Sequence, residues 1–294
     1  MKTGLFQLAI AALASSFCLT QPARATEQSA IDEVYSAASK AAQHGPAHVV
    51  LADQAVLDLP KGYAFVPKAE AARMLDAMGN VPGDDLLGMV LPEAEGANWF
   101  IDISFERAGY IKDDDAKDWD ASELLANLKE GTEEGNKLRH ERGIAEFEVI
   151  GWVEKPAYNA GSHQLVWAAN IRNKDAKAGD EQSVNYNTYA LGREGYISMN
   201  LVTGMNTVEA EKPEAQQLLA ALAFNDGKRY QDFNADTDHV AEYGLAALVA
   251  GVGAKKLGLL AVIGAFFAKS FKLIALGAIG LFAAGRRFFG NKDA

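Results

Sequence analysis

The chain has 294 residues, with 28 basic and 39 acidic side chains, a net charge of −11, and one cysteine. Two basic residues fall in 1–25, and seven basic with two acidic residues fall beyond 240, so residues 26–240 carry 19 basic against 37 acidic side chains, net −18. Such a body excludes nucleic acid as a partner and disfavours docking on anionic lipid headgroups.

Residues 1–25 have the three parts of a secretory signal. Lys2 gives a positive start, Leu5 to Leu19 is mostly apolar, and Ala23-Arg24-Ala25 offers small residues where a signal peptidase reads. The expected mature start is Thr26. Lipidation at Cys18 is disfavoured because bulky Phe17 precedes it. A chain that loses Cys18 has no thiol, which excludes disulfides and thiol catalysis.

Residues 26–45 read as a polar helix, with Ile31, Val34, Tyr35 and Ala38 at helical spacing and Gly45-Pro46 as its stop. Short strands are expected at 48–51, 55–59 and 62–66, a helix over 68–78, and a strand over 86–91. Over 99–105 apolar residues alternate with Asp102 and Ser104, the pattern of a half-buried strand. Asp120, with Glu123 three residues on, opens the longest helix, to about Arg142. Strands follow at 145–154, 164–172, 183–191 and 195–203, with hairpin turns at 173–179 and 192–195, and a last helix over 209–223. Consecutive strands on short turns imply an α+β domain over 46–240, an antiparallel sheet covered by helices.

From Gly244 the chain turns apolar. Residues 241–256 are expected to form a juxtamembrane helix and 257–285 a transmembrane anchor. Its 29 residues exceed the roughly 20 that a ~30 Å hydrocarbon core requires. Lys269 and Lys272 interrupt it, and a lysine at mid-membrane costs about 2.5–3.5 kcal/mol unless it snorkels or meets a partner. A two-span hairpin and a buried amphipathic helix pair are the alternatives. Arg286, Arg287 and Lys292 make 286–294 a basic end that fits the cytoplasmic side. The layout expected is a single-pass protein of a bacterial inner membrane, with its domain in the periplasm.

The segments LPKGYAFVP (59–67), GDDLLGMVLP (83–92), WFIDISFERAGYIKDDDAKDWDASELL (99–125), VIGWVEKPAYN (149–159), NYNTYALGREGYISMN (185–200) and FNDGKRYQDFNADTDHVAEYGL (224–245) resemble the family of domain of unknown function 2167, described as bacterial membrane-anchored proteins. The resemblance implies a signal peptide, an external domain and a C-terminal anchor, and it implies no activity. The element order also resembles the Mog1/PsbP-like sandwich, whose members are mostly accessory or binding proteins.

Chemistry-bearing residues are few. Asp113, Asp114, Asp115 and Asp118 are candidate ligands for a hard cation. Their run lacks the spacing and distal glutamate of a calcium loop, and charge at the N-terminus of the following helix also accounts for it. Asp232, Asp236 and Asp238 are expected to cap the next helix. The five histidines form no zinc pattern, and the chain has no GxSxG elbow. Trp119, among aspartates, is the candidate partner-contacting aromatic, and Tyr186, Tyr189 and Tyr196 either line a groove or pack in the sheet. No cofactor is expected. The expected function is a binding or accessory module beside another envelope membrane protein. The alternatives are a cation-dependent hydrolase using Asp113–Asp118 and a tail that oligomerises or assists a transporter.

Overall fold

In the computed structural model of the protein, residues 21–250 are described, except 79, 81, 118, 142, 144 and 178. Residues 1–20 and the whole tail from 251, with the expected anchor at 257–285, lie outside the described residues. Among the described residues no helix is long and apolar enough to cross a membrane.

The order is α1 (Gln21–Ala41), β1 (Gln43–His44), β2 (Ala47–Leu51), β3 (Ala55–Leu59), β4 (Tyr63–Pro67), α2 (Lys68–Ala77), β5 (Leu86–Pro92), β6 (Phe100–Glu106), a 3-10 turn (Asp114–Lys117), α3 (Ala121–Glu141), β7 (Phe147–Asn159), β8 (Gln164–Asn173), β9 (Ser183–Leu191), β10 (Tyr196–Gly204), α4 (Val208–Ala220), β11 (Leu222–Phe224) and α5 (Leu245–Ala250). Eight strands form one antiparallel sheet in the order β1-β4-β5-β6-β10-β9-β8-β7, and β11-β3-β2 form a second. The α+β class with a large antiparallel sheet and covering helices is therefore present.

Side chains alternate across a strand, so the register assigns each residue to a face. The first face carries Phe65, Val90, Ile101, Ile103, Met199, Leu201 and Tyr186, packed against the small sheet (Val49, Leu51, Leu57, Leu59) and α4 (Leu218, Leu219) in one continuous apolar cluster. The second face is divided. Over β4–β6, Val66, Met89, Leu91 and Phe100 pack with Tyr35 of α1 and Met74 and Leu75 of α2. Over β7–β9, Val149, Leu165, Trp167 and Ile171 pack with Leu124 and Leu128 of α3 and Leu245, Leu248 and Val249 of α5. β9 is buried from end to end, because layers cover it on both sides.

Several expectations shift. β7 runs to Asn159 rather than 154 and holds Pro156. It tolerates a proline because it is the edge strand, and its register with β8 shifts three times. The last long helix stops at Ala220, because residues 222–224 pair with β3; that pairing overrides their helical spacing. Gln43 and His44 pair with Phe65 and Ala64 rather than ending a helix. The folded body also continues past Val240, since Leu245 and Val249 are fully buried.

Candidate functional site

The second face holds two unusual places. The first is the seam between its apolar clusters. Met89, Asp102, Asn200, Asn187 and Trp167 are successive cross-strand partners on β5, β6, β10, β9 and β8. Met89 belongs to the α1–α2 cluster and Trp167 to the α3–α5 cluster. The three polar side chains between them join neither. Ser104 and Ser198 pair in the neighbouring row, which continues through Tyr189 to Leu165. Asn187 and Asn200 are 2% and 3% exposed. The Asn187 amide donates to the Asn185 carbonyl at 3.0 Å. Neither amide atom of Asn200, nor Oδ1 of Asp102, makes a hydrogen bond of ordinary geometry with a protein group. A buried polar group left so costs about 1–3 kcal/mol.

Asp102 is half-buried as a residue, but its Oδ1 is shut off from solvent. Burial pushes its carboxyl up to about 7; the Asn200 amide works in the opposite direction, and Asp85 adds to the rise. Tyr189 and Tyr196 meet edge-on at 5.3 Å beside the row, and burial raises both phenols. Tyr243, on the approach to α5, is pushed up to about 12 by burial and then by Glu106.

The second place is a groove between α3 and edge strand β7, with a cavity volume of about 280 Å³. It is lined by Ala121, Ser122, Leu125, Ala126, Lys129, Trp152 and Lys155. The first turns of α3 form one wall. The Asp120 carboxylate caps that helix, accepting from the Ser122 N–H at 2.7 Å and the Glu123 N–H at 3.0 Å. These bonds, and lastly the charge of Lys155, hold Asp120 below the usual carboxylate range. Trp152 is fixed by its indole N–H to the Ala121 carbonyl, 2.8 Å, and by edge-on contact with Trp167 at 5.8 Å. Among the described residues neither Lys129 nor Lys155 forms an ion pair, whereas Lys137, Lys174, Lys212 and Lys228 all do.

The aspartates singled out by sequence are occupied by structural contacts. Asp113 Oδ2 accepts from the Tyr158 hydroxyl at 2.8 Å, and that hydroxyl lies 3.1 Å from His163 Nδ1. Burial and then Asp113 raise the Tyr158 phenol. With the phenol proton directed at Asp113, His163 Nδ1–H is the donor in the second bond. His163 in turn stacks on Tyr230 at 4.1 Å. Asp115 caps α5 from 130 residues away, with Oδ1 on the Leu245 N–H at 3.1 Å and Oδ2 on the Ala246 N–H at 2.9 Å. Asp114 is exposed in the 3-10 turn, and Asp118 lies outside the described residues. Among the described residues no group of three or more His, Cys, Asp or Glu is arranged to hold a metal ion. Trp119 is half-buried and packs on the α3–α5 cluster.

The later aspartates do not cap α5. Asp238 takes both Nε and Nη2 of Arg193, at 2.6 and 2.8 Å, and Asp232 accepts from the Arg229 N–H. Asp115 does the capping because the chain returns to it. Gly244 permits the approach, since a Cβ there would lie 2.5 Å from Asp115 Oδ2.

A family model, protein of unknown function (DUF2167), matches residues 43–280, from β1 to well beyond α5. The chain belongs to this family. No curated protein matched it. Among solved structures it is similar to the solution structure of cyanobacterial PsbP (CyanoP) from Synechocystis sp. PCC 6803, at 10% identity over 59% of this chain and 88% of that one, with a TM-score of 0.36. At that score nothing is carried from it to this DUF2167 member.

Sequence reading missed the seam. Asp102 and Ser104 alternate with apolar neighbours, which reads as a solvent face. Asn185, Asn187, Ser198 and Asn200 repeat that alternation on two further strands, and three polar stripes on adjacent strands were the available signal.

Proposed function

We propose that this DUF2167 protein is a membrane-anchored periplasmic binding or accessory module that holds an acidic face of a neighbouring envelope protein in the α3–β7 groove. The groove carries the reading: an apolar floor of Leu125, Ala126 and Trp152 beside two unpaired ammonium groups, on a body of net −18. Charge opposite to the rest of the surface selects a partner and speeds its encounter, while the half-buried Trp152 supplies contact area. Anchoring rests on the apolar residues 257–285. The docking of α5 supports it, because α5 fixes where the chain leaves the body.

The test is a photo-crosslinking residue placed at Ala126 in the full-length chain in its native cells, with the same residue at exposed Val50 on β2 as reference. The expected result is one membrane-protein adduct of defined mass from position 126, lost in Lys129→Glu plus Lys155→Glu and absent from position 50. Equal labelling from both positions overturns the groove. A chain ended at Ala250 that still sediments with membranes overturns the anchor.

A further inference from the structure

The polar seam goes beyond that reading and does not depend on it. Its row crosses the middle of the second face, where the α1–α2 pair and the α3–α5 pair each end their own apolar packing. The Asp102 carboxyl and the Asn200 amide that acts on it occupy the position where apolar side chains would fuse the two clusters, and their contact falls short of ordinary hydrogen-bond geometry. Fully satisfied polar networks rigidify a core, whereas partly satisfied ones are its weak lines. The groups around Asp102 share one sign. Asp85, ahead of β5, and Tyr189, on β9, act on it or respond to its charge. Glu106, farther along β6, acts with Asp85 on Tyr196 of β10, and Tyr243 approaches from the α5 side. On the α1–α2 side, Tyr35 shares a cluster with Met89, the β5 partner of Asp102, and its buried hydroxyl has no hydrogen-bond partner of ordinary geometry. No cation figures among the groups that shift Asp102.

We propose that the seam is a proton-controlled joint: with Asp102 neutral the two helix pairs close over the sheet, and with Asp102 ionised they separate along the seam, freeing α5 and the α1–α2 pair. The sign follows from where the carboxyl titrates. Its folded value, about 7, lies above the ordinary 3.8, so the native state holds the proton more tightly than the unfolded chain. Asp102 therefore contributes stability that is fully present below about pH 4 and lost as pH rises through about 7. A negative charge created there is repelled by Asp85 and is met by the Asn200 amide and a backbone N–H rather than by a cation.

The experiment is amide hydrogen exchange on the full-length protein in detergent at pH 5.5 and pH 8, corrected for intrinsic rates, for wild type and Asp102→Asn. Wild type should lose protection in α1, α2 and α5 by about tenfold between the two pH values, while β9 and β10 amides stay protected. Asp102→Asn should hold the pH 5.5 pattern at both. Wild-type protection that does not change with pH overturns the joint, and so does a pH response that persists in Asp102→Asn. If that variant does not fold, a carbon-13 titration of the wild-type aspartate carboxyls decides. A buried carboxyl titrating near 7 supports the proposal, and all aspartates titrating below 5 overturn it.

Discussion

The two faces of the large sheet solve the same packing problem differently. The first is sealed by the small sheet and α4 into one apolar cluster in which Leu57, Ile103, Met199 and Leu201 are all fully buried. The second carries two helix pairs in separate apolar clusters, with Asp102, Asn200 and Asn187 on the strands between them. β10 belongs to both, with Met199 and Leu201 on one side and Ser198 and Asn200 on the other. A single strand can therefore serve stability with its odd residues and division with its even ones.

The strongest way to break this comparison is on the first face. Leu201→Ala should cost about 2–5 kcal/mol, because the cavity it leaves has covering layers on every side; urea unfolding measures it. Asp115→Ala should cost about 0.5–2 kcal/mol, the range of a lost N-cap, and proteolysis should open the chain around 240–250 first. Gly244→Ala should do the same by pushing the Asp115 carboxylate away.

At the acid end the seam has a counterpart of opposite sign. Arg193, and then the Asn234 N–H, hold the Asp238 carboxyl far below its ordinary 3.8, so its stabilisation is present above about pH 4 and fades as pH falls further. Asp238→Asn should flatten the acid limb of a stability–pH curve and leave the limb between pH 5 and 8 intact, while Asp102→Asn should do the reverse. The smallest effect sharpens the comparison most. Asn200→Leu at pH 5 should cost about 1 kcal/mol or less, since the amide it removes makes no hydrogen bond of ordinary geometry, although Asp102 loses a polar neighbour. A loss as large as that of Leu201→Ala would mean the seam is ordinary core.

Much of the framework is legible in the sequence. Short strand-like runs between turn residues, with period two over 99–105, locate β3 and β9 at their observed limits and β2, β4, β5, β6, β8 and β10 within a residue or two. The Asp120 cap locates the start of α3. Alternation tells which residues share a face and nothing about what covers it, so Asp102 reads as solvated. Asp115 likewise reads as one charge in an acidic loop, because its role depends on Leu245 and Ala246 arriving from 130 residues away. The groove was out of reach for the same reason: Trp152 and Lys155 are separated in sequence from Leu125 and Lys129 and meet only when β7 pairs beside α3.

The Asp115–α5 contact also sets how the body takes a load. A pull on the chain beyond Ala250 reaches α5 first and passes through two hydrogen bonds and the buried Leu245 and Val249 to the turn that feeds α3. Leu245 and Val249 also rest on Leu165 and Trp167 of the large sheet, but through side-chain packing and not through the hydrogen bonds between strands. Under tension the six-residue helix should peel away before any strand pair has to shear, so a pull on the chain beyond it would release a few residues and leave the sheet intact.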